Sequence, residues 1–124
     1  MARESIAMSH GELREFLERT SQVVVGTIGT SGEPVGTLAS CAQVGDELVF
    51  ALPDGPARAD VERDPRVCCA ADEYPSYYEI RGMTAHGTAR PIEAPPGLAG
   101  QGAAYAIDLD DVVSFDFGKI GDRV

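Results

Sequence analysis

The sequence predicts a single, mainly β domain: a small closed barrel with short helices on its flanks. Its 124 residues suit one domain. Three apolar, β-branched runs lie between Gln22 and Leu52, separated by two glycine-containing turns, Gly29–Pro34 and Val44–Glu47. Such turns join antiparallel strands, so this stretch predicts a three-stranded meander. Gly26 and Gly36 lie within the strands and mark points where a sheet bends, which favours closure into a barrel.

Before the meander the pattern is helical. Ser9 and Glu12 have the spacing of a capping box, which predicts the start of a helix. Three apolar residues then recur at helical spacing: Leu13, Phe16 and Leu17. We expect a helix from Ser9 to Thr20, a flexible tail over residues 1–8, and one domain over residues 9–124.

After the meander, a second short helix and a buried strand are expected. Pro56 suits the first turn of a helix, and Asp64-Pro65 disfavours its continuation, so the helix is predicted over Pro56–Arg63. The run RVCCAA, Arg66–Ala71, is typical of a buried strand.

Two further strands complete the prediction. A long strand over Tyr77–Ile92 has a face that mixes apolar and polar groups and therefore favours contact with a ligand or another subunit. That face carries Tyr78, Ile80, Thr84, His86, Thr88 and Arg90. A mobile loop, Ala94–Ala103, is expected next because it is rich in Pro and Gly. The last strand, Asp111–Phe117, alternates Val113, Phe115 and Phe117 with Ser114 and Asp116.

The charge of the chain argues against two classes of partner. Ten Lys and Arg against twenty Asp and Glu leave a net charge of −10. Nucleic acids and anionic membranes attract basic surfaces, so neither is an expected partner. The sequence shows no apolar run near ~20 residues and no secretory leader, and we expect a cytoplasmic protein.

The residues that commonly carry chemistry form no recognisable motif. The three cysteines, Cys41, Cys68 and Cys69, form no C-x-x-C pair, and reduced, mostly buried thiols are expected. Cys68 and Cys69 are neighbours in a strand and point to opposite faces, so they are not expected to bridge. Neither histidine lies in a cluster with metal-ligand spacing, so no metal site is predicted. The glycines do not spell a dinucleotide-binding or phosphate-loop motif.

The order and spacing of the segments resemble one known family over nearly the whole chain. After the first helix, the segments that carry the resemblance are VVVGTIGTSGEPVGTLAS, DELVFAL, ERDPRV, IRGMTAHGTARPI and VVSFDFGKI. They are similar to those of the pyridoxamine 5′-phosphate oxidase-like, FMN-binding split-barrel family. The resemblance implies a six-stranded antiparallel Greek-key split β-barrel. It also implies a homodimer that holds FMN, or the deazaflavin F420, at the subunit interface.

The resemblance places the cofactor against particular residues of this chain. Its ring would lie against the second strand and the end of the third, and its phosphate against the start of the second helix. The residues implied are Thr37, Leu38, Ala39, Ser40, Ala51, Leu52, Pro56, Ala57 and Arg58. Tyr77, Tyr78 and Arg81 are candidates to reach the site of the neighbouring subunit.

The phosphate end departs from the family pattern. Relatives commonly have Ser or Thr at the end of the third strand and a basic pair at the helix start, because a phosphate needs hydroxyl and charged donors. Here Ala51 and Leu52 end the strand, and Arg58 is the remaining cation, flanked by Asp54 and Asp60. Fold and cofactor are therefore separate predictions, and the absence of any cofactor is an open alternative.

The function expected is a flavin- or deazaflavin-dependent oxidoreductase that acts on a small organic substrate. The cofactor would supply the hydride chemistry, so no side chain is assigned as catalytic. Two alternatives use the same cleft: a non-redox protein that binds a small ligand, and a cofactor-free enzyme with His86 or Glu79 as acid or base.

Overall fold

A computed structural model gives the fold and describes residues 5–74 and 79–121. Four short helical segments flank one eight-stranded sheet. In chain order the elements are α1 His10–Glu18, β1 Gln22–Ile28, β2 Pro34–Val44, β3 Glu47–Leu52, α2 Pro56–Arg63, β4 Arg66–Glu73, β5 Arg81–Thr88, β6 Arg90–Ile92, a 3-10 turn Pro96–Leu98, β7 Ala103–Asp108, β8 Val112–Asp116 and α3 Gly118–Gly121.

The first helix begins where the capping box predicts. The Ser9 side chain accepts a hydrogen bond from the backbone N–H of Glu12, and the Glu12 carboxylate accepts one from the N–H of Ser9 at 2.9 Å. The helix ends at Glu18, two residues before the predicted end. Leu13, Phe16 and Leu17 are buried against the sheet, as their spacing indicates.

The second helix has the predicted bounds, Pro56–Arg63. Asp60 fixes it to the sheet, because this buried carboxylate accepts hydrogen bonds from Thr27 Oγ1 at 3.1 Å and from the Arg63 guanidinium at 2.9 Å. Arg63 also donates to the carbonyl of Ile28 at 2.8 Å. Among the described residues, no helix is both long and apolar enough to cross a bilayer.

The sheet is antiparallel throughout, with strand order β6-β7-β3-β2-β1-β4-β5-β8. The predicted meander is confirmed, since β2 pairs with β1 and with β3. After α2 the chain returns so that β4 lies beside β1. This order, three hairpin-connected strands with a fourth beside the first, is a Greek key.

The number of strands corrects the prediction of six. The expected long strand ends at Thr88 and resumes at Arg90, because the N–H of Ala89 turns away to the carbonyl of Pro65 at 2.7 Å. Its first part begins at Arg81, and the predicted start at Tyr77 and Tyr78 lies outside the described residues. A further strand, β7, was not predicted at all.

β7 escaped prediction because of its composition. Its sequence, AAYAID, is rich in alanine, which has a low strand propensity. The strand is nonetheless almost fully buried, between β3 and β6. Small side chains suit a strand that is covered on both faces, so packing decides this element and local propensity does not.

The sheet curls so that its two halves meet. An ideal Cβ on Gly87 of β5 would lie 3.1 Å from Cβ of Ile107 on β7, although four strands separate the two in the sheet. The concave face encloses the main core, into which α1 packs. The result is a half-barrel with flanking helices, consistent with a split barrel. Its largest fully buried side chains include Phe16, Leu17, Val23, Val25, Leu48, Phe50, Leu52, Met83 and Ile107.

The segment expected as a mobile loop, residues 94–103, packs on the convex face of the sheet. Its 3-10 turn buries Leu98, which is 3% exposed, in a second apolar cluster on β3 and β7. That cluster contains Val49, Ala51, Leu98, Ala104 and Ala106. The Pro/Gly composition indicated an irregular backbone, but it did not indicate that Leu98 is buried against the sheet.

The last strand turns Val113 outward, whereas Val112 packs against the main core. Val113 is 67% exposed, while Asp116 is buried. Asp116 lies inside because it accepts hydrogen bonds from the Arg81 guanidinium at 3.2 Å and from the N–H of Gly118 at 2.9 Å. Residues 6–8 run beside this strand, and the N–H of Asp116 donates to the carbonyl of Ile6 at 2.8 Å.

Candidate functional site

The convex face of the sheet carries a row of residues in mutual register, of which the three large apolar ones are exposed and the other two, Ala70 and Thr84, are half-buried. Leu38, Val24, Ala70, Thr84 and Val113 are successive cross-strand partners on β2, β1, β4, β5 and β8, and we call them the apolar row. Leu38 is 61% exposed, Val24 45% and Val113 67%. Large apolar side chains gathered on one surface mark interaction sites. This half of the convex face is therefore the first candidate for contact with a ligand or a second chain.

A groove lies beside the apolar row. The next cross-strand set is Gly36, Gly26, Cys68 and His86, on the same face of the sheet. Neighbouring side chains fill the space over the two glycines: an added Cβ would lie 2.5 Å from Cys68 Sγ at Gly26 and 3.3 Å from Val24 Cγ1 at Gly36. The groove has a volume of about 330 Å³ and is lined by residues that include Thr27, Ile28, Pro34 and Arg66 besides Gly26, Cys68 and His86.

The four residues of β2 that the family resemblance implicated lie on two different faces. Leu38 is part of the apolar row, and Ser40, two residues on, shares its face. Ala39 is buried in the main core, and Thr37 pairs with the core residue Val25. A ligand on the convex face can therefore touch Leu38 and Ser40, whereas Thr37 and Ala39 face the concave side.

The end of β3 is covered. Ala51 is the cross-strand partner of Ser40 and points to the convex face, but it is only 1% exposed because Leu98 packs in the same cluster. Leu52 faces the core and is fully buried. Contact between a ligand and Ala51 requires displacement of the 94–103 segment.

The start of α2 offers one guanidinium group. The N-cap, Gly55, has no side chain to satisfy the first N–H groups of the helix, and Pro56 occupies the first turn. Arg58 pairs with Glu62 one turn later, with Nε and Oε1 3.3 Å apart. The hydrogen bond that Arg58 donates to Glu62, together with the charges of Glu62 and Asp54, raises the pKa of Arg58 above its ordinary value.

Arg58 and Glu62 line a cavity at this end of the molecule. It measures about 550 Å³ and lies between α2 and strands β6 and β7. Tyr105 also lines it, and burial raises the pKa of its phenol while the Arg58 charge opposes that shift. Sequence reasoning missed this juxtaposition because β7, which carries Tyr105, was not predicted.

The two ends of the candidate site differ in how well they fit a flavin. The open apolar surface and the hydroxyls of Ser40 and Thr84 fit a flat, largely apolar ring. At the phosphate end, the free helix N–H groups and Arg58 are suitable donors, but Glu62 already neutralises Arg58. The fit is good for the ring and weak for the phosphate.

The other residues that the sequence analysis names as candidates are Arg81, Glu79, Tyr77 and Tyr78. Arg81 is held within its own chain by Glu73 and Asp116, each at 3.2 Å. Glu79 is exposed at the approach to β5, and Tyr77 and Tyr78 lie outside the described residues. No three metal-ligating side chains converge within residues 5–74 and 79–121.

A curled antiparallel sheet with Greek-key connectivity and an open convex face defines a class of small split-barrel proteins. The chain belongs to the pyridoxamine 5′-phosphate oxidase family, whose model matches residues 9–117. This confirms the family resemblance stated above.

Solved structures share the fold at low sequence identity. A conserved hypothetical protein from Mycobacterium tuberculosis superposes with a TM-score of 0.80 and 22% identity, covering 98% of this chain and 92% of that one. A FAD-binding protein from Mesorhizobium loti gives 0.72 and 14%, covering 89% and 94%. A protein described as an F420 reductase gives 0.61 and 15%, covering 81% and 94%. No curated protein matches the sequence.

Proposed function

We propose that the protein is a flavin- or deazaflavin-dependent oxidoreductase that works as a homodimer on a small organic substrate. The observation that carries the proposal is the exposed apolar row beside the groove, in a chain of the pyridoxamine 5′-phosphate oxidase family. Relatives of the fold that are described as FAD-binding and as an F420 reductase support this class of cofactor. Three free cysteines favour a reducing compartment such as the cytoplasm.

In this proposal, a second copy covers the apolar row and the cofactor ring lies in the cleft between the two chains. The cofactor supplies the hydride chemistry. The side chains of this protein bind and orient: Leu38 and Val24 exclude water from the ring, and Ser40 offers a hydrogen bond to its polar edge. Arg58 and the first N–H groups of α2 hold the phosphate.

A second candidate, a non-redox protein that binds a small ligand in the same cleft, is favoured by one observation. Glu62 forms an ion pair with Arg58, which carries the only described guanidinium near the expected phosphate position. A phosphate must compete with this carboxylate and with the charge of Asp54. A neutral ring without a phosphate meets no such competition.

Titration of FMN and riboflavin, followed by flavin fluorescence, distinguishes the two candidates. If Arg58 reads the phosphate, Arg58→Ala weakens FMN binding by about 10- to 150-fold, the loss of one charge-assisted hydrogen bond of ~1.5 to 3 kcal/mol, and leaves riboflavin binding nearly unchanged. Arg14→Ala is the matched control, because Arg14 is also exposed and also paired with an acid, Asp46, on another part of the surface.

Other outcomes contradict the proposal in distinct ways. Equal losses for FMN and riboflavin mean that Arg58 does not contact the phosphate. If the wild type binds neither flavin, and does not bind F420 in the same titration, the oxidoreductase proposal is wrong and the second candidate replaces it.

A further inference from the structure

Asp60 is a buried carboxylate within α2 that the proposed function does not use. Its exposed fraction is 6%, and a carboxylate is costly to bury unless hydrogen-bond donors replace its water. Each oxygen has such a donor: Oδ2 accepts a hydrogen bond from Thr27 Oγ1 at 3.1 Å, and Oδ1 accepts one from the Arg63 guanidinium at 2.9 Å. Removal of either donor therefore leaves a buried oxygen without that partner.

These hydrogen bonds fasten α2 to the end of β1. Thr27 is a β1 residue, 3% exposed, and the Arg63 guanidinium also donates to the carbonyl of Ile28, the last residue of β1, at 2.8 Å. Val61, the other buried residue of α2, packs in the main core. The inner face of α2 is thus bound by three hydrogen bonds and by apolar packing.

Arg58 lies on the opposite side of the helix from Asp60. Successive residues of an α-helix are about 100° apart, so side chains two positions apart point in nearly opposite directions. Arg58 accordingly has a side chain that is 37% exposed and pairs with Glu62, whereas Asp60 faces the sheet. In the sequence Asp60 flanks Arg58, but the fold turns its charge away from a ligand at Arg58 and pairs it with Arg63.

The contacts of Asp60 matter for the start of α2 because that end has no side-chain cap from the described residues. Gly55, the N-cap, has no side chain that could bind the first turn. The helix is only eight residues long, so its first turn moves with the inner face that Asp60 holds. A ligand-binding donor has to be held within about 0.5 Å of its productive position. Asp60 therefore controls where Arg58 and the first N–H groups lie relative to β1.

We propose that Asp60 is a positioning residue that holds α2 where Arg58 and the free helix N–H groups meet the phosphate of the cofactor. Thr27 and Arg63 fix Asp60 in this role, and Asp60 acts through the helix without touching the ligand. β1 also carries Val24 of the apolar row, so the hydrogen bond from Thr27 sets the spacing between the ring end and the phosphate end of the site. This inference rests on the proposed function, because it requires a cofactor phosphate at the start of α2.

The experiment measures the dissociation constants of FMN and riboflavin for the folded protein by flavin fluorescence. Thr27→Val removes the hydroxyl donor and keeps the charges and the approximate size of the side chain. We expect it to weaken FMN binding by about 2- to 10-fold, the contribution of one hydrogen bond, and to change riboflavin binding by less than about twofold. Thr27→Ser keeps the hydroxyl and should retain the wild-type preference for FMN. A general loss of folding, or contact of Thr27 with the ring, would instead weaken the binding of both ligands.

Thr20→Val is the matched control. Thr20 Oγ1 donates to the carbonyl of Phe16 at 2.8 Å at the end of α1, so this change removes one hydroxyl donor from α1 instead of α2. It should leave the ratio of the two dissociation constants at the wild-type value. A double-mutant cycle with Arg58→Ala tests the route of the effect. Because Asp60 acts by placing Arg58, Thr27→Val should change the ratio less in the Arg58→Ala background than in wild type.

Three results overturn the role of Asp60 alone, given a wild type that prefers FMN to riboflavin. They are an unchanged ratio in Thr27→Val, equal losses for the two ligands, and the full effect of Thr27→Val in the Arg58→Ala background. A wild type that binds FMN no more tightly than riboflavin is a different result. It refutes the phosphate contact of Arg58 in the proposed function itself, and the positioning role of Asp60 with it.

Discussion

At the scale of single residues, Gly102 controls how β7 joins the end of β3. Its φ is +120°, and an added Cβ would lie 2.2 Å from the carbonyl oxygen of Leu52. Both facts exclude a side chain, because the conformation is strained for other residues and the neighbouring backbone cannot move aside. Gly102 therefore allows the chain to pass from the 94–103 segment into β7, which pairs with β3.

Replacement of Gly102 tests this account. Gly102→Ala should lower the free energy of unfolding by about 2 kcal/mol or more, measured by chemical denaturation. Gly97→Ala in the same segment is the matched control, because nothing lies within 4 Å of its added Cβ, and it should change stability by less than ~1 kcal/mol. Similar effects of the two substitutions would contradict the proposed role of Gly102.

The pairing of Cys68 with His86 shows what single-residue reasoning on the sequence leaves out. The two residues are eighteen positions apart, and only the register of β4 and β5 makes them neighbours. Sequence alternation indicates which residues share a face but not which residues oppose them across the sheet. For the same reason the contact between Leu98 and the cluster around Ala51 could not be predicted.

At the scale of elements, local signals predicted the two longest helices, α1 and α2, but not α3 or the 3-10 turn. The capping box at Ser9 and the proline at Pro56 gave the helix starts, because both act through the first turn alone. The meander followed from its glycine turns. β7 depends on tertiary packing, and the break at Ala89 depends on a long-range hydrogen bond to the carbonyl of Pro65. No local sequence pattern indicates either of these interactions.

The cap of α1 makes a prediction about pH. The carboxylate of Glu12 accepts hydrogen bonds from Lys119 and from Ser9, and these lower the pKa of Glu12 from 4.5 to about 2. A lowered pKa means that the ionised group stabilises the fold above about pH 4.5 and that this contribution is lost as the pH falls toward 2. Denaturant unfolding between pH 5 and pH 2 should therefore show a shallower loss of stability in Glu12→Gln than in wild type.

The matched control for the loss of one negative charge is Glu15→Gln, on the same helix and outside the capping box. An identical pH dependence in Glu12→Gln and wild type would show that the capping carboxylate is not linked to folding in this range.

At the scale of the whole molecule, the convex face is divided into a covered half and an open half. The 94–103 segment covers β3 and β7. The strands that carry the apolar row, β2, β1, β4, β5 and β8, are open on this face. The pattern of apolar runs and glycine turns predicted the class of fold, and the family match confirms the resemblance. Which half of the sheet is open depends on the three-dimensional course of one irregular segment. Two chains that each carry a net charge of −10 repel one another, so the contacts of a dimer interface have to offset this repulsion.

The most direct test of the central claim, that a second copy covers the apolar row and completes the cofactor cleft, is sedimentation of wild type and Leu38→Asp with and without FMN. We predict that wild type at micromolar concentration sediments with the mass of two chains and carries the flavin absorbance with it. Leu38→Asp should sediment as one chain without flavin, whereas Ile120→Asp, an exposed apolar position outside the sheet, should behave as wild type. A wild-type mass of one chain, or a Leu38→Asp variant that stays dimeric and retains flavin, would contradict the account.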